Sequence, residues 1–141
     1  MPCLDYLAQV REALPGIRAA GADVLAVGTA AGWQAEALMQ GAPDRPPLGF
    51  PCVVDPEHNL YRALGLGRVA WYEWATPRLW RNYLGAFRRG ARQGEVTGDI
   101  HQKPGVAVID PDRSVRWIHR AVTVGDYPPI ATVLAALTPT R

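Results

Sequence analysis

Cys3 is the residue of this sequence best placed to do chemistry, because it lies at the start of a predicted helix. Backbone N–H groups at a helix N-terminus are unpaired and carry the positive end of the helix dipole. A thiol in that position can have its pKa lowered to about 3.5–7.5, which would make it a nucleophile. The alternative is a cysteine near the end of the chain with no chemical role. Position alone leaves both interpretations open.

The other residue types that carry chemistry are scattered. The three histidines, His58, His101 and His119, fall on a predicted helix, a loop and a strand. No spacing joins them to the cysteines as a zinc site, so surface or structural roles are favoured. The sequence contains no glycine-rich phosphate loop and no Ser-His-Asp signature. These residues imply neither a metal nor a bound organic cofactor.

A basic aromatic segment spans residues 68–92, with six arginines against one acid. Residues 77–92 predict a helix with its aromatic residues and a leucine on one face: Trp80, Tyr83, Leu84 and Phe87. Such a helix can lie on an anionic membrane surface or on nucleic acid. It can also pack its aromatic face against a sheet while the arginines face water, and this packing is the favoured interpretation.

These residues must be positioned by an alternation of helices and strands. Apolar residues at spacings of three and four predict a first helix over residues 4–20, kinked or restarted at Pro15 and ended by Gly21. The other predicted elements are strand 23–28, helix 32–40, strand 50–55, helix 55–64, hairpin strands 105–110 and 115–119, and helix 128–137. The alternation predicts an α/β fold with a parallel component.

Length and composition restrict the class of protein. The 141 residues are 48% hydrophobic and 20% charged, which predicts one globular domain over residues 1–141 rather than a disordered chain. No apolar run approaches the ~18 residues of a membrane-spanning helix, and no secretory signal is visible. Two cysteines are too few for a disulfide scaffold. This suits a reducing compartment and predicts a cytoplasmic location.

Three stretches carry a resemblance to a known family. The opening, residues 2–10 and 17–28, looks like that of the peroxiredoxin-like proteins of the alkyl hydroperoxide reductase/thiol-specific antioxidant superfamily. Residues 50–66 (FPCVVDPEHNLYRALGL) are similar to its strand-Asp-Pro-helix segment. An aromatic insert at 67–98, followed by GDIHQ at 98–102, resembles the branch called peroxiredoxin-like 2. The resemblance implies a thioredoxin-like fold in the order α-β-α-β-α, aromatic insert, β-hairpin and C-terminal helix.

The resemblance also implies a thiol redox role for Cys3. In the branch a Cys-x-x-Cys motif opens the first helix, and Cys3 matches its second cysteine. In peroxiredoxins proper a Thr-x-x-Cys motif stands there, and Cys3 matches the peroxidatic cysteine. The first residue of either motif, and the central first strand of the fold, would precede Met1. We expect the strands around Val24 and Val106 to pair without that strand, or another chain or an upstream start to supply it.

In the chemistry that the resemblance implies, a thiolate attacks the peroxide O–O bond and becomes a sulfenic acid. A second thiol then forms a disulfide, which an external dithiol reduces. Cys52 begins a predicted strand, whereas the active site of a parallel sheet lies at the carboxyl ends of its strands. A buried, apolar Cys52 is therefore favoured over a disulfide with Cys3.

Two prolines would support Cys3 in this family. Pro2 directly precedes it. Pro104 has the spacing of the cis-proline that thioredoxin folds place before the hairpin, facing the active cysteine. This spacing favours the cis isomer, but X–Pro bonds are cis in only about 5–6% of folded cases, so both isomers remain open. In addition, Lys103-Pro104 replaces the Leu-Gly that is usual in the resembling branch.

The sequence thus predicts a peroxiredoxin-like thiol oxidoreductase with Cys3 as nucleophile. A peroxide or similar small oxidant would be the substrate, and a thioredoxin- or glutathione-type protein or thiol the reductant. The alternative is a redox-inactive thioredoxin-fold module that binds a partner or a membrane through residues 68–92. A further alternative is a lipid-directed reductase, since some members of the branch act on a prostaglandin-type endoperoxide. Nucleic acid is a disfavoured partner, and the oligomeric state is left open.

Overall fold

The computed structural model describes residues 2–29, 32–89 and 101–138, which form a mixed α/β fold. The elements in chain order are α1 (Pro2–Ala19), β1 (Ala26–Gly28), α2 (Gly32–Gln40), β2 (Cys52–Val54), α3 (Asn59–Ala63), a 3-10 helix (Trp71–Ala75), α4 (Pro77–Arg88), β3 (Gly105–Ile109), β4 (Val115–Arg120) and α5 (Ile130–Leu137). The predicted α/β class and order of elements are confirmed. The end of the predicted insert, residues 90–98, and Arg92 in it lie outside the described residues.

Helix α1 runs through Pro15, which neither ends nor restarts it. Proline costs a helix one backbone hydrogen bond. Here Leu14 and Ile17 on either side of it are buried, so packing holds this turn in place. The predicted stop at Gly21 is confirmed: its φ is +83°, and the N–H of Ala22 reaches back to the Ile17 carbonyl at 3.2 Å. No helix in the described part of the chain is long and apolar enough to cross a membrane.

Helix α3 begins later than the predicted start at Asp55. His58 adopts a left-handed backbone conformation with φ +59°, and the helix starts at Asn59 after it. Asp55 still serves the helix, because its carboxylate accepts a hydrogen bond from the backbone N–H of Leu60 at 2.8 Å. The predicted N-cap at Asp55 is therefore wrong, because the N-cap is His58, although the Asp55 side chain still accepts an N–H of the first turn. The helix itself is shorter than predicted.

The described strands form two separate sheets. Strands β1 and β2 are parallel, with Ala26 opposite Cys52, while β3 and β4 form the predicted antiparallel hairpin. In the described residues β1 and β3 do not pair with each other, which removes the first of the three alternatives, direct pairing of the strands around Val24 and Val106. Strands β1 and β2 are shorter than predicted. Leu25, just before β1, is 60% exposed, which agrees with a sheet that ends there.

The first apolar core lies between α1, α2 and β2. Its buried members are Leu14, Ala35, Leu48, Phe50 and Cys52. Leu14 is three turns along α1 from Cys3, about 16 Å at the rise of an α-helix. Cys52 is thus a buried side chain of the core near the middle of α1, and both cysteines are free thiols. The structure favours the apolar role predicted for Cys52.

The second core shows which face of α4 is buried, and it is not the predicted one. Leu79 is fully buried against Val69 and Val124, with Tyr83 packed on this cluster. Ala86, which is two turns after Leu79 and one turn after Tyr83 on α4, is fully buried as well. The exposed apolar residues are Trp80, Leu84 and Phe87, at 58%, 50% and 47%. The core stripe of α4 is therefore Leu79, Tyr83 and Ala86, because the small Ala86 lets the helix backbone approach its neighbours closely.

An ion pair ties the 3-10 helix to the segment before β3. Lys103 Nζ lies 2.9 Å from the Glu73 carboxylate, and both side chains are largely buried. The hydrogen bond from Lys103 lowers the pKa of Glu73 below its ordinary value. The backbone N–H of Lys103 also donates to the Gly67 carbonyl at 3.0 Å. These contacts fix the chain that leads into β3.

Pro104 follows Lys103 in an extended chain. No peptide bond within the described ranges is cis, so Pro104, whose isomer the sequence left open, is trans. The Pro104 carbonyl accepts a hydrogen bond from the Ala121 N–H at 3.1 Å, which continues the pairing of the hairpin. Because Lys103 and Ala121 hold the chain on either side, the ordinary trans form fits here without a turn.

Candidate active site

Cys3 lies in the first turn of α1, with its side chain exposed to solvent. The hydroxyl of Tyr127 donates a hydrogen bond to its sulfur, with the oxygen 2.9 Å from Sγ. Tyr127 lies on the segment between β4 and α5, just before the buried Pro128 and the exposed Pro129. The two residues are 124 positions apart in sequence. The site is thus formed where the start of α1 meets the chain that leads into α5.

Tyrosines surround the thiol. Tyr6, one turn after Cys3 on α1, stacks on Tyr127 with ring centroids 4.4 Å apart and an interplanar angle of 12°. The hydroxyl of Tyr61 donates to the Val27 carbonyl at 2.7 Å, which binds α3 to β1. Burial, and then the charge of a Cys3 thiolate, raise the pKa of Tyr61 to about 12. The pKa of Tyr83 is raised by the same two causes, so four of the five tyrosines face this site.

The thiol of Cys3 is not activated in the way its position predicts. Desolvation raises the pKa of Cys3 above its ordinary value, and the hydrogen bond from Tyr127 lowers it by less. The Cys3 residue is exposed, but its thiol is desolvated by the protein atoms around it. The hydrogen bond from Tyr127 and a backbone hydrogen bond at the start of α1 both lower the pKa. These contributions are smaller than the desolvation, so the net pKa of Cys3 is raised rather than lowered.

A salt bridge joins the first turn of α1 to the end of α4. Arg89 approaches the Asp5 carboxylate through both Nε and Nη2, each 2.8 Å from Oδ2. Gln9 donates to the same oxygen at 2.9 Å. The Asp5 carboxylate raises the pKa of Arg89, which stays charged. Arg89 is therefore committed to Asp5 and does not act on the thiol.

Replacing Tyr127 by phenylalanine should raise the pKa of Cys3 further. The change deletes the hydrogen bond to the sulfur and keeps the ring that stacks on Tyr6. A hydrogen bond to a charged group contributes about 1.5–3 kcal/mol, and one pKa unit is about 1.4 kcal/mol. We expect an upward shift of about one unit. Alkylation of Cys3 by iodoacetamide, followed from pH 7 to 10, should slow about tenfold below the pKa.

Tyr6→Phe is the matched control for this change. The Tyr6 hydroxyl is buried and has no hydrogen-bond partner in the structure. Removing it should leave the alkylation profile of Cys3 where it is, because it does not reach the sulfur. If both variants shift the profile equally, the effect belongs to the stacked ring pair rather than to the Tyr127 hydrogen bond.

The two predicted supporting residues are Pro2, which is next to Cys3 in the chain, and Pro104. Pro2 begins α1, a position that suits proline because its missing N–H is not needed there. Pro104 directly precedes β3 and its carbonyl accepts a hydrogen bond from Ala121, while the hydrogen bond to Cys3 comes from Tyr127. In the described ranges no group of three His, Cys, Asp or Glu side chains could hold a metal ion. His119 instead lies 3.6 Å from the Asp126 carboxylate.

Two of the site residues were missed at the level of sequence. Tyr6 could have been found, because residues three apart on a helix share a face. Tyr127 could not, since only the packing of the chain before α5 onto α1 brings it to Cys3. Its sequence signal, a tyrosine before two prolines, indicates a rigid turn and says nothing about a thiol.

The comparisons with known proteins agree with this fold. A family model described as AhpC/TSA antioxidant enzyme matches residues 9–123, well over half of the chain. The match runs from α1 through β4 and ends before Tyr127. No curated protein matches, and neither does any solved structure. The family has thiol-dependent redox functions in general. The chain belongs to the AhpC/TSA antioxidant enzyme family, which is peroxiredoxin-like and of thioredoxin fold.

Proposed function

We propose that this protein is a thiol-dependent peroxidase in which Cys3 is the reacting residue. The observation that carries the proposal is the exposed residue Cys3, whose sulfur accepts a hydrogen bond from the Tyr127 hydroxyl at 2.9 Å. An oxidant can reach this sulfur from solvent, and the donor can stabilise its thiolate. We further propose that residues 1–141 form a single thioredoxin-like domain with the basic aromatic insert at residues 67–98.

The reaction begins with attack of the Cys3 thiolate on one oxygen of a hydroperoxide. A bond forms between sulfur and oxygen, and the O–O bond breaks. The sulfur is oxidised by two electrons to a sulfenic acid, and the peroxide is reduced to an alcohol, or to water, after uptake of one proton from solvent. Tyr127 remains protonated throughout, because burial raises its pKa well above the ordinary value. Its role is to orient and stabilise the thiolate.

The sulfenic acid must then be reduced from outside the site. Cys52 is buried in the core, and both cysteines are free thiols in the structure. An external thiol therefore condenses with the sulfenic acid, releasing water and forming a mixed disulfide. A second thiol then restores Cys3 and leaves as the oxidised partner. The reductant in this proposal is of thioredoxin or glutathione type.

Trapping of the sulfenic acid tests the proposal directly. The protein is treated at pH 8 with one equivalent of hydrogen peroxide in the presence of dimedone and then analysed by mass spectrometry. We expect the adduct on Cys3. The buried Cys52 serves as the internal control and should stay unmodified. An adduct on Cys52 alone, or a Cys3 that remains a thiol, would contradict the proposal.

A second function is favoured by the corrected face of α4. Trp80, Leu84 and Phe87 are about half exposed and lie beside Arg81 and Arg88. This is the pattern of a helix that lies on an anionic membrane surface. The raised pKa of Cys3 also fits a redox-inactive binding module. The same trapping experiment separates the two functions, since the module predicts an unreactive Cys3.

A further inference from the structure

We propose that a cavity next to Cys3 binds the carboxylate of a small molecule that reacts at this thiol. The inference rests on the proposed function and names the chemistry of its substrate or reductant. The cavity has a volume of about 240 Å³ and lies between α1, α4 and the chain before α5. Drug-sized ligands occupy pockets of about 300–1,000 Å³, so the ligand expected here is smaller.

The cavity and the thiol share one wall. Tyr127 lines the cavity, and its hydroxyl donates to the sulfur of Cys3. Tyr6 lines the cavity too and is stacked on Tyr127. A molecule bound in the cavity therefore lies against the residue that holds the Cys3 sulfur. In this proposal the cavity is a subsite of the reaction at Cys3.

The charge of the cavity favours an anion. Three charged side chains line it: Asp5, Arg81 and Arg89, with a net charge of +1. Arg89 is held by Asp5 at 2.8 Å, so these two charges offset each other. Arg81 is exposed and makes no ion pair or hydrogen bond within the described part of the chain. Its guanidinium is the one charge of the lining left for a ligand.

The shape of that group selects a carboxylate. A guanidinium presents its N–H donors in a planar fork that matches the two oxygens of a carboxylate. Arg81 is followed on α4 by Asn82, whose amide donates to the Val124 carbonyl at 3.2 Å and fixes this side of the cavity. A ligand with a carboxylate at one end and a hydroperoxide or thiol at the other would place its reactive end toward Cys3.

Maleimide probes test the cavity without relying on peroxide chemistry. N-(2-carboxyethyl)maleimide carries a carboxylate, and its amide analogue has the same shape without the charge. We expect the ratio of their alkylation rates at Cys3 to fall about tenfold in Arg81→Gln, because a charge-assisted hydrogen bond is lost. The rate with the amide should stay unchanged, which also shows that the variant is folded.

Arg88→Gln is the matched control, because Arg88 is an exposed arginine on the same helix that does not line the cavity. Its loss should leave the ratio as in the parent. An unchanged ratio in Arg81→Gln, or an equal fall in both variants, would overturn the carboxylate subsite. Because the probes alkylate any accessible thiol, this result is independent of whether Cys3 reduces peroxides.

Two sources of the carboxylate are distinguished by the two half-reactions. Oxidation is measured with 4-hydroperoxy-4-methylpentanoate against tert-butyl hydroperoxide, and reduction with 3-mercaptopropionate against 3-mercaptopropanol. A loss in Arg81→Gln confined to the acidic peroxide assigns the cavity to the oxidant, and a loss confined to the acidic thiol assigns it to the reductant. Equal rates for acidic and neutral partners in parent and variant would contradict the proposal.

Discussion

Replacing Cys3 by serine is expected to reduce thiol-dependent peroxide consumption to the background rate of the reductant alone. The reaction needs a thiolate, and a serine hydroxyl does not ionise or undergo the two-electron oxidation at ordinary pH. Cys3 is the exposed thiol of the sequence, and the only other cysteine is buried in the core. The measurement is hydrogen peroxide consumption with dithiothreitol as the reductant.

The pH dependence makes this prediction sharper. An ordinary thiol, with a pKa near 8.5, is only a few per cent thiolate at pH 7. Desolvation raises the pKa of Cys3 above that of an ordinary thiol, so the native protein holds less thiolate still. Its rate should therefore rise about tenfold per pH unit from pH 7 upward. The difference between parent and Cys3→Ser should widen with pH in the same proportion.

Cys52→Ala is the control for the loss of a thiol as such. It removes a small side chain from the core formed by Leu14 and Phe50 and should leave the rate at each pH unchanged. A Cys3→Ser protein that consumed peroxide as fast as the parent would remove Cys3 from the mechanism. Loss of activity in Cys52→Ala alone would place the reacting thiol in the core instead.

Leu79→Ala is expected to lower the free energy of unfolding by about 3 kcal/mol. Leu79 is fully buried between Val69 and Val124, and truncation of such a leucine costs about 2–5 kcal/mol. Val124 lies three residues before Tyr127 in the chain. This core therefore also supports the position of the Tyr127 hydroxyl that donates to Cys3. Urea unfolding, followed by tryptophan fluorescence, measures the change.

Leu84→Ala compares the two faces of α4 with the same chemical change. Leu84 lies on the same helix and is 50% exposed. Its truncation should cost less than about 1 kcal/mol, as expected for a partly exposed side chain away from the core. The sequence pattern predicts the reverse order, with Leu84 on the buried face. A larger loss for Leu84→Ala would therefore restore the predicted face of α4 and contradict the structure.

The parts of the fold that sequence could predict are those set by local patterns. Helix α2 has the predicted bounds, and the hairpin of β3 and β4 forms around the predicted turn. Leu14 and Ile17 were on the predicted core face of α1, and both are buried. In each case the apolar spacing along a few turns or a few alternating residues determines the element.

The errors arise where distant residues decide. On α4 the apolar residues form a stripe too wide to face one core, and the packing of Val69 and Val124 determines which part of it is buried. The pKa of Cys3 is raised by desolvation in the folded protein, which outweighs the lowering at the start of the helix. The isomer of Pro104, which the sequence left open, is trans, and its carbonyl pairs with Ala121. Val124 and Ala121 are both distant in sequence from the residues that they contact.

The desolvation of the Cys3 thiol in the folded protein couples proton binding to folding. In an unfolded chain the Cys3 thiol ionises near pH 8.5, whereas the native thiol, with its raised pKa, keeps its proton to higher pH. Between these two pH values the folded state holds the proton that the unfolded state has lost, so stability falls as pH rises through this range. At neutral pH, fraying of the first turn of α1 exposes a thiol that is more acidic than the native one. The pKa of Cys3 therefore depends on how firmly the first turn of α1 stays packed against the chain before α5.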